Sequence, residues 1–286
     1  MSTERLVLTI ADIRQHALLV PWPEERQVEQ DLLLCVAMAA LFNDEFLAGE
    51  IALRGGTVLH KVHLAPAVRY SEDIDIVVVG RRPGTHIRAA LKRVLLPILG
   101  RHATDVMATV KLAVRNASRP SNIIRLEYRW PSVALPARKL KLKFEANITE
   151  RSPYLPVVRM PFSVALQGTE RNTDIISYNI NELLGTKMRS LFQRKQGRDL
   201  FDLYWALAGP ATTPPDPAET VAAFRHYMQA ERLHVSRQDF YDALDDRLAD
   251  PDFRSDMSAL LRPDIPYDVD QAGALVRKQL LAKLPR

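Results

Sequence analysis

The segment from Asp73 to Val79 (DIDIVVV) limits what this 286-residue chain can become more than any other. β-Branched and free of glycine and proline, it reads as a strand buried in a sheet, closed by Gly80-Arg81-Arg82-Pro83-Gly84. It opens with two carboxylates at i and i+2, which a strand points to one face while Ile74 and Ile76 point to the other. Two carboxylates so placed repel each other unless a cation lies between them. Oxygen-rich pairs of this kind suit Mg²⁺ or Mn²⁺; the plainer alternative is a solvated strand end carrying two charges.

Upstream, a short strand Ile51–Leu53 runs through Arg54 into Gly55-Gly56-Thr57 and then a helical stretch, Val58–Leu64. Two glycines between strand and helix let backbone N–H groups approach an anion closely. The helix start adds its positive dipole end and Thr57 a hydroxyl donor, which together suit nucleotide phosphates. Taken alone, the pair also fits a simple tight turn.

The remaining pattern places strands in the middle and helices at both ends. Glu24–Asn43 reads as a helix after Pro21 and Pro23, and Thr85–Leu99 as a basic amphipathic helix. Residues 104–117 and 121–130 read as strands joined at Arg119-Pro120-Ser121-Asn122. Lys139–Asn147 (KLKLKFEAN) alternates strictly, with Leu140, Leu142 and Phe144 on one face. Lys139, Lys141, Lys143 and Glu145 occupy the other face. From Asn181 onward the chain is helical, with Gly209–Pro217 (GPATTPPDP) as the best linker candidate. The expected fold class is α+β, with a mixed-sheet core, N-terminal helices and a C-terminal helical domain. The expected division is 1–160 for helices plus sheet and 161–286 for helices.

The longest apolar run, Leu32–Phe42, has 11 residues and is too short to span a bilayer, so no membrane is expected. Cys35, the only cysteine, excludes an internal disulfide and a cysteine-based zinc site, and a reducing cytoplasm is the expected compartment. The histidines show no zinc spacing; His60 and His63 read as structural or solvent-exposed. Net charge is +5, unevenly spread. Arg81–Met160 holds 17 Lys+Arg against 4 Asp+Glu, whereas Ala211–Asp270 holds 6 against 13. The middle is therefore a candidate polyanion-binding surface, with solvated basic strand faces as the alternative.

Beyond the glycine turn, Arg69-Tyr70-Ser71-Glu72-Asp73-Ile74-Asp75, Lys143-Phe144-Glu145, Glu182–Lys187 (ELLGTK) and Arg198-Asp199-Leu200-Phe201-Asp202 follow in order. This series resembles the DNA-polymerase-β-like nucleotidyltransferases, and within them the AbiEii/AbiGii abortive-infection toxins and their MenT-type mycobacterial relatives. The likeness covers roughly residues 50 to 208. It implies an NTP- and metal-dependent enzyme of a toxin–antitoxin system, with Asp73, Asp75, Lys187 and Asp199 catalytic. Asp73 and Asp75, with Glu145 as the superfamily's third carboxylate, would hold Mg²⁺ or Mn²⁺. Gly55, Gly56, Thr57, Ser71, Lys187 and Asp202 would bind the nucleotide, Lys187 on the triphosphate.

Each residue also has a plainer reading. Lys187 falls inside the apolar stripe of Leu183, Leu184, Met188 and Leu191, where a lysine snorkels or has an anionic partner. Asp202 stands four residues after Arg198, where an ion pair is the simple role. Glu145 balances three lysines, and Ser71 bonds local backbone. In MenT-type relatives the serine matching Ser71 can be phosphorylated by a kinase-type antitoxin. The resemblance names a cognate antitoxin as partner and the tRNA 3′ end as acceptor. A protein or small-molecule hydroxyl, and a non-catalytic nucleotide- or RNA-binding module, are the alternatives.

Overall fold

A computed structural model describes residues 5–114, 117–209, 211 and 213–286. Seven strands build one sheet there: β1 (Ile51–Arg54), β2 (Asp73–Val78), β3 (Thr104–Val114), β4 (Ala117–Pro131), β5 (Lys139–Asn147), β6 (Val158–Leu166) and β7 (Thr169–Ser177). Their order is β3-β4-β5-β2-β1-β7-β6. The sheet is mixed: β2 runs parallel to β5 and β1 to β7, and the other neighbours are antiparallel.

Period-two alternation gives the central strands two unlike faces. Ile74, Phe144 and Leu126 stand in register and are buried. One residue on, Asp75, Glu145 and Arg125 stand in register on the opposite face, as do Asp73, Lys143 and Glu127. The apolar face is covered from the N-terminal side by α1 (Ile10–Ala17), α2 (Glu25–Asn43), α3 (Glu45–Ala48) and α5 (Gly84–Leu99). The run Leu32–Phe42 lies in α2, which packs against β5, β6 and β7 and is buried nearly all round. A helix apolar on every side needs such a central position.

Between β1 and β2 stand the short α4 (Gly55–Val58) and a single π-helical turn, Leu59–His63. The C-terminal part holds α6 (Ile180–Gln193), α7 (Gly197–Ala208), α8 (Pro217–Ala230), α9 (Arg237–Leu248), α10 (Pro251–Ser255) and α11 (Val269–Gln279). α6 and α8 approach closely because position 185 is glycine: a methyl there would stand 2.7 Å from Ala223 Cβ.

Three expectations are corrected. The division at 160 cuts through β6; the β6–β7 hairpin belongs to the sheet, and the helical part starts at Ile180. Arg119–Asn122 is not a turn, because β4 starts at Ala117 and Pro120 pairs with Lys111. Residues 115 and 116, within the expected first strand, lie outside the described residues. Proline is tolerated there because β5 reaches only to Asn147 opposite Ile123, so β4 has a single neighbour beyond that point. Nor does the proline-rich stretch separate two bodies. Asp216 caps α8, and its backbone N–H donates to Asn181 Oδ1 at 2.8 Å, fixing α8 to the start of α6. Pro210 and Thr212 of that stretch lie outside the described residues. No described helix is long and apolar enough to cross a membrane.

Candidate active site

A cleft of about 440 Å³ opens where the polar face of β2 and β5 meets α4, α6 and α7. Asp73, Asp75, Lys143 and Glu145 line one side, and Lys187, Arg194, Gln196 and Arg198 the other. Gly56, Thr57 and Ser71 also border it. Residues scattered over more than 140 positions in sequence are thus brought to one depression.

The two glycines have separate reasons. Gly55 adopts φ +81°, and a Cβ there would lie 2.1 Å from Asp75 Oδ2. A Cβ on Gly56 would lie 1.9 Å from Arg69 Nη2. The turn is therefore glycine because a carboxylate and a guanidinium press against its backbone. Thr57 is buried, and its hydroxyl donates to the Asp73 carbonyl, tying the turn to β2. That corrects the expectation of a free hydroxyl for phosphate.

The three expected metal carboxylates differ in their partners. Asp73 pairs with Lys143 at 3.0 Å. Glu145 accepts from Arg125 Nε at 2.7 Å and lies 3.5 Å from Lys143 Nζ. Asp75, half-buried, has no hydrogen-bond or ion-pair partner among the described residues. Burial, with the nearby charges of Asp73 and Glu145, raises its pKa against the pull of Arg54 and Lys187. A carboxylate kept there without a partner fits a site built for a cation. Asp73 and Asp75 are the carboxylates that could hold a divalent ion here, and Glu145 stands in register beside Asp75 but is engaged by Arg125.

Another convergence of ligand-type atoms is His16, Asp31 and Cys35, all buried. Lys61 pairs with Asp31 there, and burial pushes the Cys35 thiol up to about 12, so ammonium and thiol both oppose a metal ion.

Lys187 does not snorkel. It is buried, and Nζ donates to Asp199 Oδ1 at 3.2 Å and to Asp202 Oδ2 at 2.7 Å. An ammonium has three donors, so one remains for the cleft that Lys187 lines. Arg194 makes a two-bond contact with Asp199, Nε at 2.7 Å and Nη2 at 2.9 Å, and keeps Nη1.

Asp199 and Asp202 are completely buried and do not line the cleft. A direct catalytic role for Asp199, and direct nucleotide contact by Asp202, are therefore replaced by a positioning role through the cations they hold. Nor does Asp202 pair with Arg198, which instead binds Gln196 Oε1 through Nε and Nη2. Asp202 receives Nε and Nη2 of Arg69 at 2.6 and 2.9 Å and Nε2 of His60 at 2.8 Å. Burial alone would raise its pKa, but Arg69, Lys187 and His60 hold it well below the usual carboxylate value. Lys187 and Arg194 likewise hold Asp199 low. Two carboxylates thus face three cations, leaving a net positive wall toward the cleft.

Sequence reasoning left Arg69 out of the site. Buried, it donates to Asp202, to the Tyr70 carbonyl at 3.1 Å and to Ser71 Oγ at 3.0 Å, bracing the loop before β2 against α7. Its place in the RYSEDID segment was the available signal. Ser71 is thus buried against a guanidinium rather than bonded to local backbone alone. His60 and His63 are both buried; burial lowers each to about 4, so both rings are neutral at pH 7. With an ionised Asp202 as acceptor, His60 Nε2 carries the proton.

The acidic C-terminal segment also reaches the site. Tyr70 N donates to the Leu260 carbonyl at 2.8 Å, Arg262 N to the Val68 carbonyl at 3.1 Å, and Leu260 borders the cleft.

The arrangement sets an acidic wall against a basic one, which suits a metal-bound polyphosphate. Comparison with solved structures finds similarity to MenT4, a nucleotidyltransferase toxin from Mycobacterium tuberculosis H37Rv. The TM-score is 0.56 at 17% identity, over 97% of this chain and 91% of that one, a likeness of fold. A search of curated proteins found no match. The family described as nucleotidyl transferase AbiEii toxin, type IV toxin–antitoxin system, matches residues 36–275. The chain therefore belongs to the AbiEii family of nucleotidyltransferase toxins.

Proposed function

We propose that this toxin transfers a nucleoside monophosphate from an NTP to the 3′ end of an RNA, with tRNA as the target, and so blocks translation in the cytoplasm. The observation that carries the reading is the unpartnered Asp75 carboxylate facing Lys187 and Arg194 across one cleft. Asp73 and Asp75 would hold Mg²⁺ or Mn²⁺, which supplies charge neutralisation at the triphosphate and activation of the attacking hydroxyl. Lys187 and Arg194 take the triphosphate oxygens with the donors that Asp199 leaves them. The 3′-hydroxyl gives up its proton to solvent as its oxygen bonds to the α-phosphorus, the bond from the α-phosphorus to the bridging oxygen of the β-phosphate breaks, and pyrophosphate leaves. The residues act by positioning and by meeting charge as it shifts toward the leaving group. The exposed basic residues of β4 and β5, on the same sheet face as the cleft, support a polyanionic acceptor.

The regulatory part of the proposal is a cognate antitoxin of kinase type acting on Ser71. A phosphate there would place nearly two negative charges against Arg69 and in the path of the triphosphate. A Ser71→Ala toxin still fully controlled by its antitoxin would refute this part.

The test is a labelling assay on total bacterial RNA with Mg²⁺ and each α-labelled NTP in turn. Label in a tRNA-sized band, lost in Asp73→Ala, is the expected result. Label on protein instead would move the acceptor to a protein hydroxyl.

A further inference from the structure

The basic residues of the middle segment do not share one surface. Arg88 and Lys92 of α5 both bind Asp105, which stands in register with the inward-facing Leu126. Arg93 is paired with Asp44 at 2.8 Å. These cations lie beyond the apolar face, away from Asp73 and Asp75, and each is bound to a carboxylate there.

On the polar face the cations outnumber the carboxylates of their own two strands. Cross-strand register puts Arg125 beside Glu145, Glu127 beside Lys143, Arg129 beside Lys141, and Pro131 beside Lys139. Five cations stand there against two carboxylates. Lys139, Lys141, Arg125 and Arg129 are exposed. Arg125 pairs with Glu145 at 2.7 Å, Glu127 takes both Arg129 at 2.6 Å and Lys141 at 3.6 Å, and Lys139 has no ion-pair partner among the described residues. Along β5 the lysines repeat at about 6.7 Å, two residues of strand rise. Lys143 ends the row against Asp73, so the basic row leads straight to the carboxylates of the cleft. The bulky rings of these strands, Tyr128, Trp130 and Phe144, all point to the buried face.

We infer that the open polar face of β4 and β5 is the track for the backbone of the acceptor RNA, guiding its 3′ end to Asp73 and Asp75. This rests on the RNA-acceptor reading above. Positive charge with no stacking platform holds phosphates and leaves bases unread, so this track contributes affinity without sequence preference.

The test uses the full chain with Lys139→Glu and Lys141→Glu together, and a stem-loop RNA with a single-stranded 3′ end as probe. The dissociation constant is expected to rise about tenfold, and the slope of log K against log salt to flatten by about 1.4, two single-strand contacts. NTP binding without RNA should be unchanged, which also shows that the variant is folded. Lys139→Gln with Lys141→Gln, which adds no repulsion with Glu127, should show the same slope change. RNA affinity and slope equal to wild type, while wild type still labels RNA, would place the track elsewhere and leave the RNA reading standing. Wild type that labels protein and not RNA would overturn both.

Discussion

Asp75 and Asp202, two aspartates about as hidden as each other from a sequence reader, should respond oppositely to the same isosteric change. Asp202→Asn replaces an oxygen that takes donors from Arg69 and Lys187, leaving the buried Arg69 without a carboxylate partner and Lys187 with Asp199 alone. Breaking a buried, hydrogen-bonded pair from one side costs about 3–5 kcal/mol. For a chain of this size that lowers the melting temperature by roughly 10 °C. Asp75→Asn removes no hydrogen bond or ion pair and relieves repulsion from Asp73 and Glu145. It should leave stability unchanged or raise it within about 0.5–2 kcal/mol, while abolishing transfer. Thermal unfolding of both variants without added metal, followed by a Mg²⁺ titration, separates them. Wild type should gain stability as Mg²⁺ binds the native state and Asp75→Asn should not. Equal destabilisation by both changes, or Mg²⁺ stabilisation undiminished in Asp75→Asn, would refute the division between a positioning layer and a cation site.

Other consequences can be checked directly. Gly56→Ala places a methyl into the Arg69 guanidinium and should displace the loop before β2, with transfer reduced at least tenfold in single-turnover assays. Gly55→Ala adds a left-handed backbone penalty of about 1–2 kcal/mol, visible in urea unfolding, and should also weaken Mg²⁺ binding through Asp75. Because burial lowers His60 and His63 to about 4, the unfolded chain binds more protons than the native one between pH 4 and 6.5. Stability should therefore be full above pH 6.5 and fall toward pH 4, with a slope of up to about 2.7 kcal/mol per pH unit for two protons. His63→Gln should reduce that slope by about half; an unchanged slope would show that the ring is protonated in the native state.

The carboxylate strand and the lysine strand were legible because strict alternation has one structural meaning when a sheet face is buried. The β6–β7 hairpin had the same signal in Val158, Met160, Phe162, Val164 and Leu166, followed by Gln167-Gly168 with positive φ at both positions. Pro161 obscures it, although β6 is an edge strand where proline is tolerated. The roles of Asp199 and Asp202 were out of reach for another reason. Local spacing offered Arg198 as the partner of Asp202, but its partners come from 142 and 133 positions away, at His60 and Arg69. Long-range pairing in a desolvated layer leaves no local periodicity. The contribution of Leu260 was equally hidden, because it is made by backbone groups.

The bond from Tyr70 to Leu260 gives the toxin a dependence on its own translation. Leu260, which borders the cleft, comes later in the chain than Asp73, Asp75 and Lys187. A nascent polypeptide still attached to its ribosome before that point has both aspartates and Lys187 but not the finished cleft. We expect chains stopped before Met257 to be harmless when expressed without antitoxin; growth arrest by such a truncation would show that this border is dispensable. A cell making this toxin would then meet a finished cleft only once residue 260 has been added, well after Asp73, Asp75 and Lys187.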